Sequence, residues 1–339
     1  MSNTVYENTV LESKLTGLVD SKIEVRSLMT VDKSLAENAG LKKVINRYTY
    51  TGAVETLAGG AANSTVGAVT FTPNEYEVKR YQQTFRYNDM EAMQDPAMID
   101  IALEGIADVM ANEIRSEYFT ELQKTSNRHT IAGSALAYSD VVDALATLGR
   151  EVEDGLFIIM SKSCRSAIRK DSDFIAARSG EIVYTGQFGT LCGIPVLFSS
   201  LVPDGLAVIT DKKAVRFFVK KDASLEQDRN IETKVNTVVY ERCGLIALID
   251  DTDTVLIGKS AASLTASISS LALTVTKTNN ANSIYYRKSK AAALLGEDVS
   301  GWTKWSGSGT LDVSVGDSVS IAEAGADGIC VASAVKVAA

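Results

Sequence analysis

His129, the cysteines Cys164, Cys192, Cys243 and Cys330, and the carboxylates of Asp250, Asp251 and Asp253 are the side chains from which chemistry would first be built. Each set falls short of a site. The one histidine could act as base for a serine or cysteine nucleophile, but no G-x-S-x-G elbow accompanies it, and one imidazole supplies one metal ligand. It reads as a loop residue in "TSNRHTIAG". The four cysteines form no C-x-x-C pair, which excludes a zinc ribbon or a redox motif and leaves reduced, mostly buried thiols. "DDTDT", residues 250–254, offers hard oxygens to calcium but lacks the glycine and distal glutamate of an EF-hand, so it reads as a turn between strands. "LIGKS" ends like a phosphate loop, yet the glycine required five places before Gly258 is Asp253. "GQFGTLCG" leads into a strand rather than a helix. No catalytic residue, cofactor site or metal site is assigned, and the balance favours a structural or binding role over an enzyme.

The totals point the same way. The 339 residues suffice for two or three domains. Net charge is −8 with both signs interspersed, which argues against a general nucleic-acid coat. "MSNTVYENTVLESKL" lacks a basic start followed by an apolar block, and no stretch approaches the roughly 20 apolar residues of a membrane span, so a chain made and folded in a cytoplasm is expected.

The elements along the chain are mixed. Residues 1–35 read as a polar, weakly helical lead-in with a narrow stripe of Val10, Leu15, Leu18 and Val19, which must lie on something else. "VINRYTYTGAV" and the run from Val69 to Met90 are strand-like and joined by the Gly-rich "GGAANSTVGA", an antiparallel hairpin. In the second run apolar parity is odd at Val69 and Phe71, even at Tyr76 and Val78, and odd again at Tyr81, Phe85 and Tyr87. Alternate side chains share a face, so the switches predict a bend near Pro73-Asn74 and a bulge or strong twist near Lys79-Arg80. At about 3.3 Å per residue the run is too long for a small domain and must project. After Asp95-Pro96, a cap and a first turn, Ile99, Leu103, Ile106, Met110 and Ile114 mark a long helix to about Lys124. "SDVVDALATLG", with Ser139 or Asp140 at its start and Gly149 at its end, "GLFIIMS", "SKSCRSAIRK", "GIPVLFSS", "LAVITD" and "VRFFVKK" then make an α/β unit. "NIETKVNTVVYERCGLIALID" reads as two strands joined near Glu241-Arg242. The last 80 or so residues, with "LTVTKT", "SIYYRK", "TLDVSVG", "SVSIAEA" and "GICVASAV", read as a small separate β-domain. Trp302, Trp305, Tyr285 and Tyr286 are its core or a glycan-gripping surface.

This order of arm, projecting hairpin, long helix, α/β unit and returning strands resembles the HK97-type major capsid proteins of tailed bacteriophages, most closely the branch sometimes called the N4 gp56-like major capsid family. "YTGAVETLAGGAANSTVGAVTFTPNEYEVKRYQQTFRYNDMEAMQDP", "IIMSKSCRSAIRKDSDFI" and "GTLCGIPVLFSSLVPDGLAVITDKKAVRFFVKKDASLEQDRNIETK" carry the resemblance, which covers about residues 1–258. It implies an α+β, HK97-like capsid fold. Its parts would be an N-terminal arm (1–35), an E-loop hairpin and its base (36–95), a peripheral domain with the spine helix (96–131 and 229–258), an axial domain (132–228) and, beyond the resemblance, an all-β decoration domain (259–339).

The implied partners are copies of the same chain, as hexamers and pentamers of an icosahedral shell, a portal, and packaged double-stranded DNA held without sequence-specific contact. No cleavable scaffolding region of the usual size is expected ahead of the arm, so a separate scaffolding protein, or none, would be needed. No membrane is involved, and the implied location is the virion capsid, assembled in the bacterial host cytoplasm. Glu75, Glu77, Lys79, Arg80, Arg86, Asp228 and Arg229 are the expected subunit-interface residues, since charges on a ribbon set register and partner; a solvated edge that blocks aggregation is the alternative. An encapsulin-like nanocompartment shell would show the same elements. An α/β enzyme with a pocket in residues 130–228 is the rival of a different class.

Overall fold

The computed structural model describes residues 6–7, 9–23, 28–37, 40–57, 62–64, 66–95, 97–149, 154–172, 174 and 189–339. The expectations for residues 1–5, Pro96, the side chain of Val10 and part of the loop tip lie outside them. The chain divides into two compact units, Met1–Ala111 with Val215–Asp250, and Asn112–Ala214 with Asp251–Ala339.

The first unit is built on a sheet in the order Tyr6–Glu7, Val215–Arg229, Val235–Leu248, Lys79–Asn88, with Thr30–Asp32 parallel to the second of these. Val235–Leu248 is one unbroken strand, not two strands joined at Glu241-Arg242. The turn lies instead at residues 230–234, where Lys234 donates its N–H to the Asn230 carbonyl. The two mid-strand charges had suggested an end, but both are buried and paired. Glu241 meets Arg80 and Lys221, and Arg242 meets Asp20 at 2.8 Å. Those partners come from distant segments, so the strand survives its polar centre.

The arm helix Thr9–Ile23 lies on its own unit. Leu15 and Val19 are fully buried, each contributing about 1.5–3 kcal/mol. Lys14–Asp100 and Lys22–Asp108, both at 2.7 Å, add little beyond orientation because they are exposed. The long helix runs from Ala97 to Leu122, its first N–H held by Asp95 Oδ1 at 3.0 Å, and buries Leu103, Ile106, Met110 and Ile114 as the spacing predicts.

The hairpin pairs Lys42–Thr51 with Ala68–Glu77, from Lys42 opposite Glu77 to Thr51 opposite Ala68, with no register shift at Pro73-Asn74. Only the first half of the long run belongs to it. At Val78 the chain leaves the hairpin, and Lys79–Asn88 pairs with Val235–Leu248 in the main sheet. The second parity switch is this change of sheet.

In the second unit a six-stranded mixed sheet runs Arg128–Thr130, Val255–Gly258, Ala207–Asp211, Leu156–Met160, Ile194–Phe198, Thr190–Leu191. His129 thus sits in a short strand, not a loop. Helices Tyr138–Leu148 and Lys162–Lys170 pack on this sheet, with Ile158, Ile209, Val141 and Ile168 fully buried between. The first helix begins at Tyr138, with Ala137 at its cap position, rather than at Ser139 or Asp140. Asp140, one turn in, accepts the Ala137 N–H at 2.9 Å, and Asp171 accepts that of Tyr138 at 2.5 Å. Gly149, at φ +61, ends it as expected.

Residues 262–337 form a five-stranded sheet and the hairpin Thr265–Ser269/Ala272–Thr276 around two apolar clusters, one centred on Ile284 and Ile321 and one on Val299, Trp302 and Cys330. "TLDVSVG" is not a strand. Leu311 and Val313 alternate inward, but only Thr310 bridges to a neighbour, and Gly307, Gly309 and Gly316 adopt φ of +91 to +93 around it. Trp302 is buried beneath the Arg287 guanidinium, 4.3 Å from its ring, and Tyr286 is buried too. Trp302 and Tyr286 are core, and Trp305 and Tyr285 are half-buried and pack against it.

Candidate assembly interface

None of the chemistry-bearing residues converges. His129 Nε2 stands 3.9 Å from Asp140 Oδ1, and no group of three or more His, Cys, Asp or Glu among the described residues could hold a metal ion. All four thiols are free; burial raises that of Cys164 and pushes that of Cys330 up to about 12, which keeps both protonated and unreactive at neutral pH. Asp251 of the "DDTDT" turn accepts from the N–H and hydroxyl of Ser126 at 3.1 and 3.0 Å. No helix among the described residues is long and apolar enough to cross a membrane.

The surface that asks for a partner is the hairpin. Cross-strand pairing puts Val44, Tyr48 and Tyr50 on one face with Val69 and Phe71, and Lys43 and Ile45 on the other with Tyr76. The inner face is covered at its root. Ile45 is buried with Leu35, Phe218, Leu245 and Ala247, Tyr76 and Val78 pack against them, and the Lys43 ammonium lies 3.7 Å from the Phe218 ring centroid. The outer face is bare. Val44 is 56% exposed, Tyr48 69%, Tyr50 70%, Val69 61% and Phe71 63%. Tyr48 and Phe71 stand directly opposite with ring centroids 6.4 Å apart. This accounts for the first parity switch within one unshifted register. The apolar residues change sides where the covered face ends and the uncovered one begins. Each outer side chain would gain about 1.5–3 kcal/mol on full burial.

Beyond the strands the loop is closed by Glu55, whose carboxylate accepts the N–H and hydroxyl of Ser64 at 2.9 and 2.7 Å. Val54 and Val66 stand exposed on it. The Tyr50 ring lies against Gly52 and Gly67, where a Cβ would collide with it.

The seven expected interface charges fall in three places. Glu75 and Glu77 both meet Lys42 Nζ at 3.0 Å at the hairpin root. Lys79 and Arg80 begin the next strand, and Arg80 reaches Glu241 at 2.7 Å. Arg86 and Asp228 flank Thr237 in one row of the main sheet, and Arg229 meets Asp89 at 2.5 Å, a hydrogen bond that holds the Asp89 carboxyl below the usual carboxylate range. Their charges are therefore largely engaged inside the chain. The outer-face residues carry the stronger signal for a partner, and the sequence offered it as a strand whose alternation is apolar on the wrong side.

The comparisons with known proteins agree with this geometry. No family model matches the chain. It is 20% identical over 262 residues to a protein named major capsid protein of Staphylococcus phage phiMR11, spanning 75% of this chain and 94% of that one. The capsid structure of cyanophage P-SCSP1u is similar at a TM-score of 0.55 and 12% identity, over 69% of this chain and 86% of that one. The capsid of a native GTA particle matches at a TM-score of 0.55 and 16% identity, over 71% and 91%. The chain has the α+β, HK97-like fold of phage capsid subunits.

Proposed function

We propose that the chain is a major capsid protein, a structural subunit whose copies close into an icosahedral phage shell. The bare apolar face of Val44, Tyr48, Tyr50, Val69 and Phe71 carries this reading. A two-stranded ribbon is marginal alone, and this one presents aromatics to water along the side its own unit leaves open. A second copy supplies the missing cover. Glu75, Glu77, Lys79, Arg80, Arg86, Asp228 and Arg229, several of them paired within the chain, are the charges that would set register against a neighbour. Hexamers and pentamers, a portal and, where used, a separate scaffolding protein complete the assembly in the host cytoplasm. Net charge of −8 suits a wall that holds DNA without gripping it. Within the fold, the likeness of the E-loop and spine stretches supports the N4 gp56-like branch, with residues 259–339 serving as a decoration domain fused in cis.

The test is to size the expressed protein and image the largest species, for the native chain and for the Tyr48→Asp/Phe71→Asp variant. Closed shells, rings or tubes from the native chain, and folded small species from the variant, are expected. A native chain that stays monomeric at high concentration, or a variant that assembles normally, sinks the proposal. Enzyme cargo in place of DNA inside shells from the natural host would move the reading to a nanocompartment.

A further inference from the structure

The C-terminal β-domain meets the six-stranded sheet through residues 291–299, all within the second unit. Arg128 and Glu297 are paired there with side-chain exposures of 4% and 0%. Arg128 Nη2 donates to Glu297 Oε1 at 2.5 Å and to the Gln123 carbonyl at 3.1 Å, and Nη1 donates to the Ala292 carbonyl at 2.7 Å. The second carboxylate oxygen of Glu297 accepts the Leu294 N–H at 2.9 Å. Around the pair, Gln123 Oε1 accepts the Asp298 N–H at 2.7 Å, and the Lys259 carbonyl accepts the Leu295 N–H at 2.9 Å. Leu206 and Leu294 close over Gly258, where a Cβ would stand 2.5 and 3.2 Å from them.

Burial works against both charges. It lowers Arg128 from its ordinary value and raises Glu297 above the usual carboxylate range, each opposed by the attraction of the other. Desolvation offsets most of the attraction in such a pair, so its net contribution to stability is small. Its contribution to discrimination is large, because any other seating of the domain leaves a buried charge alone. We infer that Arg128–Glu297 is a register lock that fixes the C-terminal β-domain in one orientation on the α/β sheet, making the domain a rigid extension of the subunit rather than a tethered module. The lock rests on the geometry of the second unit and does not depend on the shell reading.

Amide hydrogen exchange on the full chain tests it. The Leu295 and Asp298 amides report the junction, and the Tyr286 and Ile321 amides report the domain's own sheet. In the native chain the junction amides exchange within about tenfold of the sheet amides. Glu297→Gln speeds the junction by about 100-fold or more and leaves the sheet within about tenfold. In Arg128→Met/Glu297→Leu, which removes both charges at similar volume, the junction stays fast while the thermal midpoint remains near the native one. Native junction amides as fast as those of the exposed loop 306–309 overturn the inference. So does slow junction exchange in the double variant, whatever its midpoint, because packing alone would then set the orientation. Should Glu297→Gln fail to fold, the double variant decides.

Discussion

The long hairpin and the C-terminal β-domain are written in similar language, with short alternating strands, β-branched residues and loops of glycine and serine. They use it differently. In the C-terminal domain Ala266, Ile268 and Leu273 turn inward onto Ile284 and Ile321, while Thr265, Ser267, Thr274 and Thr276 face water. Its apolar side is closed within the chain. In the hairpin the inward side is closed only at the root by Ile45, and the outward side carries Tyr48, Tyr50 and Phe71. Alternation tells which residues share a face; it does not tell which face is covered. On the reading proposed above, a strand pair that keeps its aromatics on the open side is half of an interface whose other half lies on another molecule.

The sharpest way to break that comparison is to put the same charge on the two faces of the hairpin. Ile45→Asp buries an unpaired carboxylate among Leu35, Phe218 and Leu245. It should cost about 3 kcal/mol or more, a large share of a stability of roughly 5–15 kcal/mol. Phe71→Asp enters water and should leave the monomer's midpoint within about 2 °C. Its effect is on assembly, which sedimentation follows. Equal losses of monomer stability would mean that the outer face is already covered within the chain.

A smaller effect distinguishes the closed domain. Glu323 is fully buried, and its carboxylate accepts from the N–H and hydroxyl of Thr278, both at 2.7 Å, from the Asn279 N–H at 2.9 Å and from Asn282 Nδ2 at 2.8 Å. Burial pushes its pKa up, but these four bonds prevail and hold it below the usual glutamate value. The unfolded chain, with a pKa of about 4.3, therefore takes up its proton first as pH falls. The stabilisation is complete above that value and is lost as pH drops through the lower folded one. Exchange protection of the Thr278 amide should hold from pH 7 to about 5 and decline below about 4.3, after correction for intrinsic rates. In Glu323→Gln protection should be lower at neutral pH and the acid decline flattened. An unchanged acid profile in the variant would remove Glu323 as the closing group of that loop.

These contrasts also mark what could be read in advance. The hairpin strands, the long helix and the short strands of the terminal domain are legible because each is a local pattern with its own punctuation. The parity change at Pro73-Asn74 implies a bend only if one face is covered throughout, whereas the pairing keeps its register there, Ile45 and Tyr76 are covered, and Tyr48 and Phe71 are not. The strand at Glu241-Arg242 was split because its partners Arg80, Lys221 and Asp20 are distant in sequence. Arg128 and Glu297 had no local signature for the same reason. "TLDVSVG" had the alternation of a strand but no neighbour to pair along its length. The seven charges chosen for the interface were conspicuous by type, and most are engaged within the chain; the outer-face apolar residues were conspicuous only once the covered face was known.

The smallest expected effect lies in the tightest turn of the closed domain. Ser270 and Leu271, at φ +50 and +60, link Ser269 to Ala272 in a two-residue hairpin turn of the kind that favours asparagine and glycine. Ser270→Asn should stabilise the domain by a few tenths of a kcal/mol, read as a small rise in midpoint. Leu271→Gly should not, although it relieves the same backbone. Leu271 packs against the core, donates its N–H to the Ala339 carbonyl and accepts the Leu311 N–H. Its side chain is worth more there than its backbone costs, so the glycine variant should unfold earlier. At the exposed loop residues Val54 and Val66 of the long hairpin an equivalent change removes no buried contact, and its effect should appear in assembly while the monomer's midpoint stays still. A gain from Leu271→Gly would show that the turn is held by backbone geometry alone, and that the terminal domain is less closed on itself than its packing indicates.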